Sequence, residues 1–259
     1  MGVTAAVLDR RRVAAFAAVG AIVGTWYVVA PHLDRVGLWP AITIICLFVM
    51  PAVLLLVLIA LPLWPARWLL PAVVVLALIA LGCSLADWGL AANFAKLWAA
   101  VFAGWAFLTL FERLSWVVLV AAVVPIVDII SVWRGPTHQI TTHHFEVYTA
   151  VAIAFLVPGG GAAYLGPPDI LFFALFLGAA ARWNLRVTWT WVSMVAVYIV
   201  TVVLATATDV GGLPALPFLS LGFFVPNADL LWRSLRRPSA DSSDSPAPSS
   251  AGDGPARAD

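Results

Sequence analysis

Residues 114–133 read LSWVVLVAAVVPIVDIISVW, twenty residues with one carboxylate among them. At about 1.5 Å per residue this run spans, as a helix, the roughly 30 Å hydrocarbon core of a bilayer. Asp128 then lies about 8 Å inside the helix end. An ionised carboxylate there costs at least a few kcal/mol unless it is protonated, paired or faces water. The stretch therefore predicts a membrane helix with a functional carboxylate, against the plainer reading of a protonated Asp bonded to a neighbouring helix.

The rest of the chain agrees with a membrane setting. Of 259 residues, 63% are hydrophobic and 10% are charged, and mean hydropathy is +1.01. A soluble domain carries more than twice that share of charge, and disordered chains are polar. A net charge of +1 gives no basic field for nucleic acid. Cys46 and Cys83 sit in separate apolar runs, so no disulfide framework or cysteine metal site is implied.

Seven further runs resemble spans: 13–30, 40–61, 68–86, 91–111, 162–181, 187–207 and 213–232. The expected fold is an all-α polytopic membrane protein of about eight helices. Residues 13–111 carry the first four, 112–237 a catalytic-type membrane domain, and 238–259 a Ser/Pro/Ala/Asp-rich tail whose composition predicts disorder. Arg10, Arg11 and Arg12 precede the first run like a signal-peptide n-region, but no small-x-small site follows before Pro31, so a retained helix is expected. Nine tryptophans, Trp26 among them, lie near run ends, where interfacial belts account for them. With residues 1–12 inside, ten arginines before the tail fall on the inner side and only Arg35 and Arg134 outside, which predicts both termini in the cytoplasm.

Between Arg134 and the sixth run lie about thirty residues, long for a bundle connection. Within them Tyr148–Val157 reads YTAVAIAFLV, too short to span, and alternates small and large residues with period two. That is a strand signal, with a re-entrant or interfacial helix as the alternative. His138, His143, His144 and Glu146 supply zinc-ligand chemistry, yet their spacing defines no metal geometry, and a solvated loop is expected.

Asp169 is the second carboxylate out of place, in AAYLGPPDILFFALFLG. Alone, an Asp after two prolines and before an apolar run reads as a helix cap. Paired with Asp128 it reads differently, because both approach the membrane from the same face and fall at comparable depth. Two carboxyls brought together cannot both ionise cheaply, so one holds a proton and the pair offers a base and an acid. The third element is GGLPALP at 211–217, where Pro214 and Pro217 delay regular helix. Its plain reading is a Pro-rich turn entering a helix. Unpaired backbone at membrane depth is otherwise tolerated only inside protein or beside a wet cavity.

In this order, Asp128, Gly166-Pro167-Pro168-Asp169 and Pro214-Ala215-Leu216 resemble the presenilin and signal peptide peptidase family of intramembrane aspartyl proteases. That family carries one Asp in a transmembrane helix, a GxGD motif opening the next, and a PAL motif opening the last. LPALPFL with the later Gly222 and Asp229-Leu230, and VDIISVWRGP, add to the likeness, which runs from about Leu114 to Trp232. Two positions depart from the pattern: Val127 stands where the family usually has Tyr, and Pro168 where GxGD has Gly.

The resemblance implies cleavage of peptide bonds within transmembrane segments or remnant signal peptides. Asp128 and Asp169 would activate a water. Gly166, Pro167 and Pro168, with Pro214, Ala215 and Leu216, would shape the substrate site. It implies no cofactor and no metal. A cleaved helix must first unwind, and the strand-like Tyr148–Val157 offers it an edge for β-augmentation. The derived orientation is that of signal peptide peptidases, which points to type II segments. Competing readings are a type IV prepilin peptidase, a proton-coupled transporter and a catalytically silent homologue that binds membrane proteins. The prepilin reading leaves the PAL string unexplained, and no internal repeat favours the transporter.

Overall fold

The computed structural model describes residues 9–134, 145–208 and 213–236, except for the side chains of 132–134, 145–147 and 235. The expected His138, His143 and His144 loop, the Glu146 side chain and the tail lie outside what is described. Among the described residues ten α-helices are joined by short turns: α1 (Arg10–Val29), α2 (Leu38–Ile44), α3 (Met50–Ala60), α4 (Leu69–Leu85), α5 (Gly89–Leu108), α6 (Leu114–Arg134), α7 (Phe145–Val151), α8 (Pro167–Arg182), α9 (Val187–Ala207) and α10 (Leu216–Arg236). Between α7 and α8 stands an antiparallel hairpin, β1 (Ile153–Leu156) and β2 (Ala162–Leu165), in the register Ile153↔Leu165 to Leu156↔Ala162.

Helices α2 and α3 form one rod through a π-helical turn, Ile45–Val49. Pro51 explains it: with no N–H and a bulky ring, proline disrupts the regular i→i−4 ladder, and the preceding turn widens. Among the described residues five helices are long and apolar enough to cross a membrane: Arg10–His32, Leu38–Leu63, Gly89–Leu108, Leu114–Ser131 and Val187–Ala207. The three other expected spans correspond to α4 with 17 residues, α8 with 16, and α10, which carries Asn227, Asp229 and two arginines. Exposed side chains such as Leu70, Leu78 and Leu85 on α4 and Ile126, Val127 and Ile130 on α6 suit lipid rather than water.

Two expectations need correcting here. The period-two stretch Tyr148–Val157 is not one strand. Its first residues belong to α7, where the Ala152 N–H still donates to the Tyr148 carbonyl (2.8 Å), and only Ile153–Leu156 is extended. Ala and Val satisfy either period over so few residues, and a strand is stable only where a partner exists. The partner is 162–165, expected to open the sixth span, and so α8 starts at Pro167. Gly159 and Gly160, at φ +83° and +82°, make the turn in a left-handed conformation that other residues rarely adopt.

Helix α8 is the buried axis. Ile170, Phe173–Leu177, Ala179 and Ala180 are all fully buried, as expected of a helix apolar on every side. Helices α5, α6, α9 and α10 surround it. A Cβ on Gly104 of α5 would collide with the Leu171 carbonyl oxygen of α8, so the two backbones touch. Close approach at small residues is how helices gain contact in lipid.

The far end of α9 and α10 is stapled by polar groups. Fully buried Asn227 donates to Thr190 Oγ1 (2.7 Å) and to the Phe223 carbonyl (2.8 Å), and its Oδ1 accepts the Arg186 N–H (3.0 Å). An Arg186–Asp229 ion pair (2.8 Å) closes the exposed side. Asn227→Leu removes all three bonds, leaves the Arg186 N–H without its acceptor, and is expected to destabilise the protein by about 2 kcal/mol. A denaturant titration in detergent measures it, and an unchanged midpoint would mean the staple adds nothing.

Candidate active site

Asp128 takes its position from a helical stripe. Val117 and Ala121 are fully buried, and Val124, Pro125 and Asp128 continue the same face at i+3, i+4 and i+7 from Ala121. Val127 and Ile130, at 59% and 60% exposure, point the other way. The stripe packs on α10, so the half-buried Asp128 carboxyl arrives at the start of that helix. There the Leu216 N–H donates to Asp128 Oδ2 (3.0 Å).

Leu216 needs that acceptor. The Leu219 N–H donates to the Ala215 carbonyl (3.0 Å), which makes Ala215 the cap residue and Leu216 the first residue of α10. Leu216 N–H is thus one of the helix-start donors without a partner in its own helix, while Pro217 has none to satisfy. Pro214, Ala215 and Leu216 are all buried. The tripeptide therefore delivers one backbone donor to one carboxylate, and the carboxylate caps the helix in return.

Asp169 is set by the start of α8. Gly166 is the cap residue, Pro167 and Pro168 occupy the first two helical positions, and Asp169 is third. The Gly166 N–H donates to Asp169 Oδ2 (3.1 Å), and the Asp169 N–H donates back to the Gly166 carbonyl (3.1 Å). Proline is tolerated at these positions because their N–H groups lack helical partners anyway. Pro168 thus fits the local geometry and stiffens the approach to Asp169. From α9, Tyr198 holds the same turn, its hydroxyl donating to the Asp169 carbonyl (2.7 Å) and its ring stacked on Phe173 at 5.9 Å.

The Asp128 carboxyl acts electrostatically on Asp169, and the Tyr198 hydroxyl feels both. No hydrogen bond links the two carboxyls to each other directly, and each is oriented by a backbone N–H. From α7, the Tyr148 ring meets Tyr164 of β2 edge-on at 6.5 Å. Burial pushes the Tyr148 phenol up to about 12, with the Asp169 charge adding to it, so it stays a proton donor at physiological pH. Among the described residues no group of three His, Cys, Asp or Glu could hold a metal ion.

Sequence reasoning missed the side chains that seat the hairpin. Asn93 of α5 makes a reciprocal pair with Ala154 of β1: its Nδ2 donates to the carbonyl (3.0 Å), and its Oδ1 accepts the N–H (2.7 Å). From α1, the Tyr27 hydroxyl donates to the same carbonyl (2.5 Å) and Trp26 Nε1 to the Leu156 carbonyl (3.0 Å). Trp26 is therefore a hairpin anchor as well as a residue near a run end. The available signal was Asn93 itself, a lone amide in the run 91–111. No protein-family model, curated protein or solved structure matches the chain.

Proposed function

We propose that this protein is an intramembrane aspartyl protease that hydrolyses peptide bonds in transmembrane segments or remnant signal peptides. The observation that carries the reading is the meeting of three separated segments: Asp128 of α6 on the Leu216 N–H, and Asp169 at the head of α8 within its electrostatic reach. In the proposed chemistry one carboxylate takes a proton from water as the oxygen attacks the scissile carbonyl. The protonated partner then gives its proton to the leaving nitrogen, and the C–N bond breaks.

The hairpin supports the same reading with a change of edge. The outward N–H and C=O of Ala154 and the Leu156 carbonyl are taken by Asn93, Tyr27 and Trp26, so β1 is not the edge a peptide would join. Strand β2 has a neighbouring strand on one side only among the described residues, and it runs within four residues of Asp169. An unwound segment added along β2 passes the dyad.

The deciding experiment is cleavage of a reporter signal peptide by purified wild type, Asp128→Ala and Asp169→Ala. Activity surviving either substitution removes the dyad. A second reading, a silent membrane-protein binder, is favoured by one observation: both carboxylates accept helix-start N–H groups, as purely structural caps do. Substrate capture without cleavage by wild type selects it.

The proposed orientation places both termini in the cytoplasm and the dyad loops on the opposite face. Alkaline phosphatase fused after residue 236 is expected to be inactive, and green fluorescent protein there fluorescent. The reverse pattern would invert the substrate preference.

A further inference from the structure

Strand β1 is bonded on both edges, to β2 on one and to side chains on the other. The register fixes which backbone groups face which way. The Val157 N–H donates to the Gly161 carbonyl (2.9 Å), so residues 157, 155 and 153 exchange bonds with β2. Ala154 and Leu156 must then turn their N–H and C=O outward. An outward row of this kind is a template for any extended peptide.

Here the row is closed by three side chains from two helices that lie far off in sequence. Asn93, 8% exposed, covers both polar atoms of Ala154. A carboxamide is the one short, neutral side chain that offers a donor and an acceptor side by side, so it imitates a strand neighbour. Tyr27, 5% exposed, adds a second donor to the Ala154 carbonyl, and Trp26 takes the Leu156 carbonyl. The Gly159 N–H donates to the Ala30 carbonyl at the end of α1 (3.1 Å), which fixes the tip as well. Set against the buried Tyr27 of α1 and Asn93 of α5, the outward N–H and C=O of Ala154 need partners, and these side chains supply them in strand-like geometry.

We propose that Asn93, assisted by Tyr27 and Trp26, is a positioning group that closes β1 to added strands and fixes the hairpin's register before the dyad. An unwound substrate is then kept off β1 and meets the hairpin in one register, and a single bond is presented for cleavage. The inference rests on the protease reading for its chemistry and on the hairpin geometry alone for its binding part. Loss of the clamp opens a second edge and frees the hairpin to slide. The smallest slip that returns the same faces to the core is two residues.

The probe is a synthetic peptide with a leucine-rich transmembrane segment and a benzophenone at its centre, presented to the full chain in detergent–lipid micelles. Wild type, Asn93→Leu, Asn93→Asp and Tyr27→Phe are compared by product masses and by mapping the photo-crosslinks. Wild type is expected to cut at one dominant bond and to crosslink at β2. Asn93→Leu is expected to spread cleavage to bonds two residues away, raise KM several-fold, and gain crosslinks at β1. Asn93→Asp keeps the acceptor for the Ala154 N–H and is expected to restore much of the single-site pattern. Tyr27→Phe should give a weaker version of the Asn93→Leu result, and it carries the test where Asn93→Leu does not fold.

A cleavage pattern and crosslink map unchanged from wild type in both Asn93→Leu and Tyr27→Phe overturn the proposal. A uniform fall in kcat at an unchanged site does so too, since a purely structural role predicts that. If wild type cuts nothing, the protease reading fails and the crosslinks still decide: movement from β2 to β1 upholds the clamp, and an unmoved or absent crosslink sinks it.

Discussion

Asp128→Asn is expected to fold like wild type and to cleave nothing. The side-chain oxygen of Asn still accepts the Leu216 N–H, so the start of α10 stays capped, but an amide cannot take a proton from water or return it. General acid–base groups contribute about a hundred- to ten-thousand-fold, so turnover should fall at least a thousandfold with both partners needed. Asp128→Ala should be equally inactive and also less stable, by about 1 kcal/mol for the lost cap. The same pair of substitutions at Asp169 should behave alike, with Gly166 as the donor left unpaired in Asp169→Ala. Mass spectrometry of the products and thermal unfolding of each variant separate the outcomes. Cap-only carboxylates would show the stability difference between Ala and Asn while leaving any activity intact.

Gly104→Val should be the most damaging apolar change. The Cβ of any other residue at 104 collides with the Leu171 carbonyl oxygen, which is main chain and cannot rotate aside. Overpacking of this kind costs about 1–3 kcal/mol, occasionally more. The strain falls on α8, two residues past Asp169. Small misplacements of a reacting group, on the order of 1 Å, cost about a hundredfold in rate. A drop in the unfolding midpoint is expected together with a loss of cleavage out of proportion to it. Gly20, around which an added Cβ meets nothing, is the control, and Gly20→Val should leave both unchanged. Equal effects at Gly20 and Gly104 would show that the contact between α5 and α8 does not matter.

Much of the helical frame was legible because length and apolarity are sufficient signals in a bilayer. The run 114–133 agrees with Leu114–Arg134, and 187–207 with Val187–Ala207. Boundaries were lost where another element competed for the same apolar residues. Ala162–Leu165 is apolar enough for a span, yet it pairs with β1 and turns over to helix only where two prolines set the dihedrals. At the site, Asp128 and Asp169 stood out as carboxylates at membrane depth, and Pro214-Ala215-Leu216 through the prolines that delay its helix and through the resemblance. That the Leu216 N–H, a backbone group with no sequence mark, would find the Asp128 carboxylate could not be read. The same holds for Asn93, whose partner Ala154 is recognised through its main chain alone.

The hairpin clamp bears on how such a chain can be divided. The two proposed catalytic carboxylates, Asp128 and Asp169, both lie after residue 112, and the run-by-run reading makes that half look complete. Yet among the described residues the side chains bonded to the outward row of β1 are Trp26, Tyr27 and Asn93, all in the other half. A fragment beginning at 112 would carry its chemistry together with a bare strand edge, ready to pair with copies of itself. The front helices, which bear no motif, thus supply the partners that the first strand of the back half needs.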